Sequence, residues 1–209
     1  MITVKPPTAP GSESSPEPAW EIAYLYPPQG LWSESEYLAL ATNRLVEFTN
    51  GRIEVLALPT EPHQLILGYL YRVLFDFVRA RQLGLVLTAG VRVRVQVGKY
   101  REPDIVFMLA EHAHRRHNDF WEGADLVMEV VSDSDEDRRR DLETKRIEYA
   151  QAGIPEYWVV DPVGRRVTVL KLEGDHYQTH GEFKPSMQAR SALLEGFIVD
   201  VDEAFRDQG

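Results

Sequence analysis

The chain has 209 residues and a formal net charge of −10, with 33 acidic against 23 basic side chains. At 44% hydrophobic and 27% charged residues it has an ordinary globular composition and ample length for a full core. The absence of cysteine excludes a disulfide framework, a thiolate zinc site and a cysteine nucleophile, and the acid excess argues against strong non-specific DNA binding through the whole-protein field.

Residues 1 to about 30 are rich in Pro, Ser and Glu and read as an extended or partly disordered arm, with a single domain over 31–209. No run approaches the ~20 apolar residues of a membrane span, and the start lacks a signal-peptide core. A cytoplasmic protein without membrane association is expected. Ser33-Glu34-Ser35-Glu36 is a capping box that opens a short helix through Leu40. The segment Arg44 to Leu56 reads as a hairpin turning at Asn50-Gly51. Thr60 and Pro62 announce a long helix to about Gln82, with Ile66, Leu70, Val73, Leu74 and Phe77 on its buried face.

Leu85 to Val97 is strand-like, and Val91, Val93, Val95 and Val97 alternate with Arg92, Arg94 and Gln96. A strand starting near Asp104 follows the turn at Gly98-Lys99, and 110–124 reads as an irregular polar connection. Leu126 to Val131 is a buried strand, followed by a helix over roughly 135–152 that Gly153 ends. Tyr157 to Asp161 is another buried strand, Arg165–Leu172 and His176–Phe183 form a C-terminal hairpin, and Leu193 to Val201 closes the chain. The pattern is α/β: a mixed, twisted sheet flanked by helices.

Glu129 stands in the middle of the apolar run Leu126-Val127-Met128-Glu129-Val130-Val131. An ionised carboxylate there costs several kcal/mol or more unless it is paired or binds something. A second acid, Asp104, heads the apolar run Ile105 to Leu109. Two acids entering two buried strands are what a hard metal ion needs, although a pair of satisfied structural acids reads the same way. On the following helix Asp141 and Lys145 stand four apart, which by itself indicates a surface salt bridge. Because that helix directly follows the Glu129 strand, its inner face can return over the strand. His112, His114 and His117 lack the spacing of a metal motif. Arg92 and Arg94 can meet phosphates or simply be solvated.

Asn50 to Glu54, His63, Pro103-Asp104-Ile105-Val106, Asp125 to Ser132, Asp141 to Lys145, Tyr149-Ala150 and Gly153 to Pro162 together resemble a known family. It is the "putative restriction endonuclease" family abundant in cyanobacteria, a branch of the PD-(D/E)XK nuclease superfamily. The resemblance runs from about Leu31 to Phe205, and Glu129 to Pro162 is its most specific part.

The resemblance implies a restriction-endonuclease-like core and a Mg²⁺- or Mn²⁺-dependent site in which Asp104 and Glu129 hold the metal. The superfamily's usual lysine position, two residues after the glutamate, is Val131 here, and Lys145 matches the replacement from the helix. Asp104, Glu129 and Lys145 are then the catalytic residues, with His63, Glu54, Asp141 and Ser132 in support. His63 can equally cap or pack, Glu54 can face solvent, Ser132 can simply begin a turn, and Glu156 can pair with Arg146 or Lys145 or join the site.

The expected function is hydrolysis of nucleic-acid phosphodiesters, with DNA the expected substrate. The alternative is a non-catalytic nuclease fold serving as a binding or dimeric interaction module. Exposed edges of a small mixed sheet leave room for a homodimer. Convergence of Asp104, Glu129 and Lys145 in a cleft favours the enzyme; a hydrophobic plug, or a lysine turned away, favours the binding module.

Overall fold

In the computed structural model residues 25–132 and 138–206 are described, Asp141 by its backbone alone. Most of the arm expected over 1–30 therefore lies outside the described residues, as does the start of the helix expected at 135. Tyr26, at the arm's end, stacks on Trp32 with ring centroids 5.8 Å apart.

Local signals set the first elements. Ser33 caps α1 (Glu34–Leu38) in a reciprocal box, its hydroxyl accepting from the Glu36 N–H while Glu36 accepts from the Ser33 N–H. Asn50 and Gly51 both take positive φ, 46° and 83°. Those values match the right-handed twist of the strands they join, β1 (Val46–Thr49) and β2 (Arg52–Val55). Thr60 caps α2 (Glu61–Arg81), which buries Ile66, Leu67, Leu70, Leu74 and Val78 and stops at left-handed Gln82.

The strand expected over 85–97 is instead two. β3 (Gly84–Thr88) and β4 (Val93–Gln96) belong to different sheets, because the chain turns at Ala89-Gly90, where Gly90 takes φ 101°. Next come β5 (Lys99–Arg101) and β6 (Ile105–Leu109). The connection over 110–124 is not wholly irregular: it holds a 3₁₀ turn, Ala110–Arg115, and the short strand β7 (Trp121–Glu122). β8 (Leu126–Val130) precedes a stretch that is helical from Arg138, passes through a π turn at Arg140–Thr144 and continues as α3 (Lys145–Gln151). β9 (Glu156–Asp161), the hairpin of β10 (Arg166–Glu173) and β11 (His176–Phe183), the pair β12 (Gln188–Arg190) and β13 (Ile198–Asp200), and α4 (Val201–Ala204) complete the chain.

The main sheet runs β11-β10-β9-β8-β6-β3, with β8 and β9 parallel and its other pairs antiparallel. A five-stranded sheet, β2-β1-β5-β4-β7, carries the N-terminal hairpin. Because side chains alternate along a strand, β8 serves two cores. Leu126, Met128 and Val130 pack with Ile66, Leu70 and Leu74 of α2. Val127 and Val131 pack with Tyr149 of α3, Tyr157 of β9 and Val93 of β4. No described helix is long and apolar enough to cross a membrane.

Candidate active site

The antiparallel ladder between β6 and β8 ends with Ile105 opposite Met128, so Asp104 and Glu129 are the next residues on the two strands. Asp104 is fixed there through its backbone and its side chain. Its carbonyl accepts from the Ala89 N–H at 2.9 Å, and its Oδ2 accepts from the Val130 N–H at 2.8 Å. Nε2 of His63, in the first turn of α2, lies 3.1 Å from the same oxygen. Asp104 Oδ1 takes no donor from the described residues.

Glu129 shares its strand face with Val127 and Val131 and so faces α3. Lys145 and Tyr149 stand four apart on that helix, and both reach the same oxygen. Lys145 Nζ donates to Glu129 Oε1 at 2.9 Å and the Tyr149 hydroxyl donates to it at 2.6 Å. The π turn delivers the lysine: its N–H bonds back to the Arg140 carbonyl, five residues earlier. Lys145 is 2% exposed and Glu129 4%, so this is a buried pair with a third group satisfying it. Burial, reinforced by the Glu129 carboxylate and then by Glu47, pushes the Tyr149 phenol well above its usual range, leaving it a donor at neutral pH.

Two acids missed in the sequence stand beside this pair. Glu47 of β1 is 1% exposed and lies 3.5 Å from Lys145 Nζ. It carries the signal that singled out Glu129, a charge between Val46 and Phe48 in a buried strand. Glu102 precedes the Pro103-Asp104 dipeptide and accepts from the Val46 N–H at 3.1 Å, with Arg92 Nε 3.6 Å away. Burial raises the Glu102 carboxyl to about 7, the Val46 bond and Arg92 oppose the rise, and Glu47 adds to it. Arg101 lies 3.6 Å from Glu47 but grips Glu148 with two bonds, at 2.7 and 2.8 Å. Burial alone would raise Glu148; Arg101 and Lys99 outweigh it and hold that carboxyl below the usual range.

Asp104, Glu129, Lys145, His63, Ser132 and Glu102 all line one open cavity of about 510 Å³. Leu56, Leu58, Pro62 and Val163 form apolar walls, and no aromatic side chain plugs it among the described residues. Glu54 is not brought in: it is exposed and bonds Arg140 at 2.6 Å. The reason is that β2 is the edge of its sheet. The Asp141 side chain lies outside the description. Glu156 pairs with neither Arg146 nor Lys145; it accepts from Trp158, Ser191, Ala192 and Leu193 and anchors the segment before β13. His112 bonds Asp125, whose other oxygen accepts from the Leu109 N–H.

Among the described residues no three His, Asp or Glu side chains gather into a metal-holding group. Of the three carboxylates lining the cavity, Glu102 is turned to the Val46 N–H and Arg92, Asp104 has an Oδ1 that takes no donor from the described residues, and Glu129 is tied to an amine. That fits Mg²⁺, which commonly takes one or two carboxylates and leaves its other positions to water and phosphate oxygens.

A family model described as "Uma2: Putative restriction endonuclease" matches residues 34–202. Among solved structures, the chain is similar to a protein of Anabaena variabilis described as a putative nuclease belonging to DUF820. The two share 18% identity, with a TM-score of 0.68 over 82% of this chain and 96% of the other. No curated protein matches.

Proposed function

Since the chain belongs to the Uma2 family of putative restriction endonucleases, we propose that it hydrolyses nucleic-acid phosphodiesters, DNA first among them, with Mg²⁺ or Mn²⁺. The observation that supports this most is the meeting of Lys145 Nζ with Glu129 Oε1, 2.9 Å apart, in the cavity that Asp104 also lines. The helix thereby puts an ammonium where Val131 cannot.

Asp104 and Glu129 would hold the cation. When bound, such an ion supplies Lewis acidity toward the phosphate and lowers the pKa of a coordinated water. His63 keeps the Asp104 carboxylate turned by its 3.1 Å contact. Tyr149, buried and not part of the cavity lining, fixes Glu129 through its hydroxyl. Lys145 places positive charge beside the phosphate, where it orients water or stabilises developing negative charge. The apolar walls limit bulk water around these groups, which strengthens each electrostatic contact.

The binding-module alternative draws on the acid excess of the chain, 33 to 23, and one experiment separates the two. Supercoiled plasmid and single-stranded DNA and RNA are incubated with Mg²⁺ or Mn²⁺ and wild type, Glu129→Ala or Lys145→Ala. Metal-dependent cleavage that falls by about 10²-fold or more in both variants is expected. Binding without cleavage of any substrate, or cleavage unchanged in Glu129→Ala, refutes the enzyme.

A further inference from the structure

Among the described residues two carboxylates approach Lys145 Nζ, Glu129 at 2.9 Å and Glu47 at 3.5 Å. Glu47 is poorly served by everything else around it. Its Oε1 receives one long bond, 3.4 Å from the Glu102 N–H, and its Oε2 is buried without a hydrogen bond. Arg101 approaches Oε2 only to 3.6 Å. That guanidinium is already committed to Glu148, the Phe48 and Tyr100 carbonyls and the Thr49 hydroxyl. A buried carboxylate with an orphaned oxygen costs stability, and an apolar residue of similar size would commonly be neutral or better. Glu47 is therefore not explained by what it adds to the fold.

Its place explains it. Glu47 comes from the second sheet, while Glu129 comes from the main sheet, so the ammonium sits between acids on independent supports. On the proposed function, Glu129 would also have to serve a divalent cation, and an ammonium held by Glu129 alone would then be competing with that cation for its only anchor. We propose that Glu47 is a positioning residue that holds the Lys145 ammonium in the cleft when Glu129 engages a divalent cation. The second half of this statement rests on the function proposed above; the hold of Glu47 on Lys145 does not.

Two measurements test it. In the first, the metal-free protein is treated with an acetylating succinimidyl ester, and modification of Lys145 is followed by peptide mass spectrometry. Glu129→Gln alone is expected to leave the labelling rate within about 3-fold of wild type, and adding Glu47→Gln to raise it about 10-fold or more, as the second anchor is lost. Full labelling in Glu129→Gln alone, or none in the double variant, overturns the proposal. Should the paired glutamines not fold, Glu47→Met, which removes the orphaned charge at similar volume, replaces Glu47→Gln in the same assay.

In the second, Mn²⁺ affinity is measured by calorimetry beside cleavage kinetics. Glu47→Gln should keep Mn²⁺ affinity within about 3-fold, lower kcat about 10–100-fold at unchanged KM, and cost nothing more on a Lys145→Ala background. Loss of Mn²⁺ binding as large as in Glu129→Gln, or a kcat loss that adds in full to that of Lys145→Ala, overturns it. An inactive wild type would refute the nuclease, while the labelling result still decides whether Glu47 holds the lysine.

Discussion

Replacing Lys145 by Met keeps most of the side-chain volume and removes its charge. Lys145 is 2% exposed, with Glu129 Oε1 at 2.9 Å and Glu47 Oε1 at 3.5 Å from its Nζ. At an effective dielectric constant of about 20, the two attractions are gross terms of about 6 and 5 kcal/mol. Desolvation of the three groups offsets much of this, and what remains when one partner of a buried pair is removed is about 3–5 kcal/mol. The Tyr149 hydroxyl still donates to Glu129 at 2.6 Å, which places the expected loss toward the lower end, about 3 kcal/mol. Against a total stability of about 5–15 kcal/mol this is large, and it shifts the urea midpoint with little change in slope. Adding Glu129→Gln to Lys145→Met should recover part of the loss, because one stranded carboxylate is then neutral. A loss under about 1 kcal/mol for Lys145→Met would refute the idea that this ammonium compensates buried charge.

Glu102 predicts a pH dependence. Its folded pKa, about 7, lies above the ordinary 4.5, so the native state holds the extra proton between those values. Its contribution is fully present below about 4.5 and is lost as pH rises through about 7, up to roughly 3 kcal/mol. Urea titrations at pH 5 and pH 8 should therefore diverge less in Glu102→Gln than in wild type, and parallel behaviour of the two proteins would contradict the reasoning. Glu156 is fully buried and accepts from Trp158 Nε1, the Ser191 hydroxyl and the Ala192 and Leu193 amides. Glu156→Gln puts an amide donor among these donors, so a loss of about 2–3 kcal/mol is expected. Hydrogen exchange at Ala192 and Leu193 should accelerate; unchanged rates would show that this carboxylate does not anchor the segment.

Glu129 was legible because an isolated charge in a uniformly apolar strand has few innocent explanations. Glu47 offered the same signal, but a hairpin signature reports a turn and leaves open which side of the ribbon is covered. Its burial depends on the packing of the second sheet, which joins β1 to β5 across about 50 residues of sequence. The alternating valines after Gly90 run on from Leu85 to Thr88 as if in one long strand, since period-two patterning is blind to a change of sheet. That the Lys145 helix could return over the Glu129 strand was legible from chain order, whereas the role of its lysine came only through resemblance. Nothing in residues 140–144 spells a π turn, whose cause is the tertiary demand at its two ends. Glu54 pairs in register with Glu47, yet one is exposed and the other buried, a difference that edge position decides and local sequence does not.

That turn lies between two moorings. Upstream, Arg138 clasps Asp161 with two bonds, at 3.0 and 3.1 Å; downstream, Tyr149 is buried with its hydroxyl on Glu129. A π turn accommodates one residue more than a regular helix would over the same length, so the segment is overlong for the gap it spans. Wound as a regular helix at its present length, it would instead swing everything beyond by roughly a quarter of a revolution. Such a regular helix could keep the Asp161 clasp or the seated tyrosine, not both. Length here is a tuned quantity, and the side chains themselves could all be retained while the site was lost.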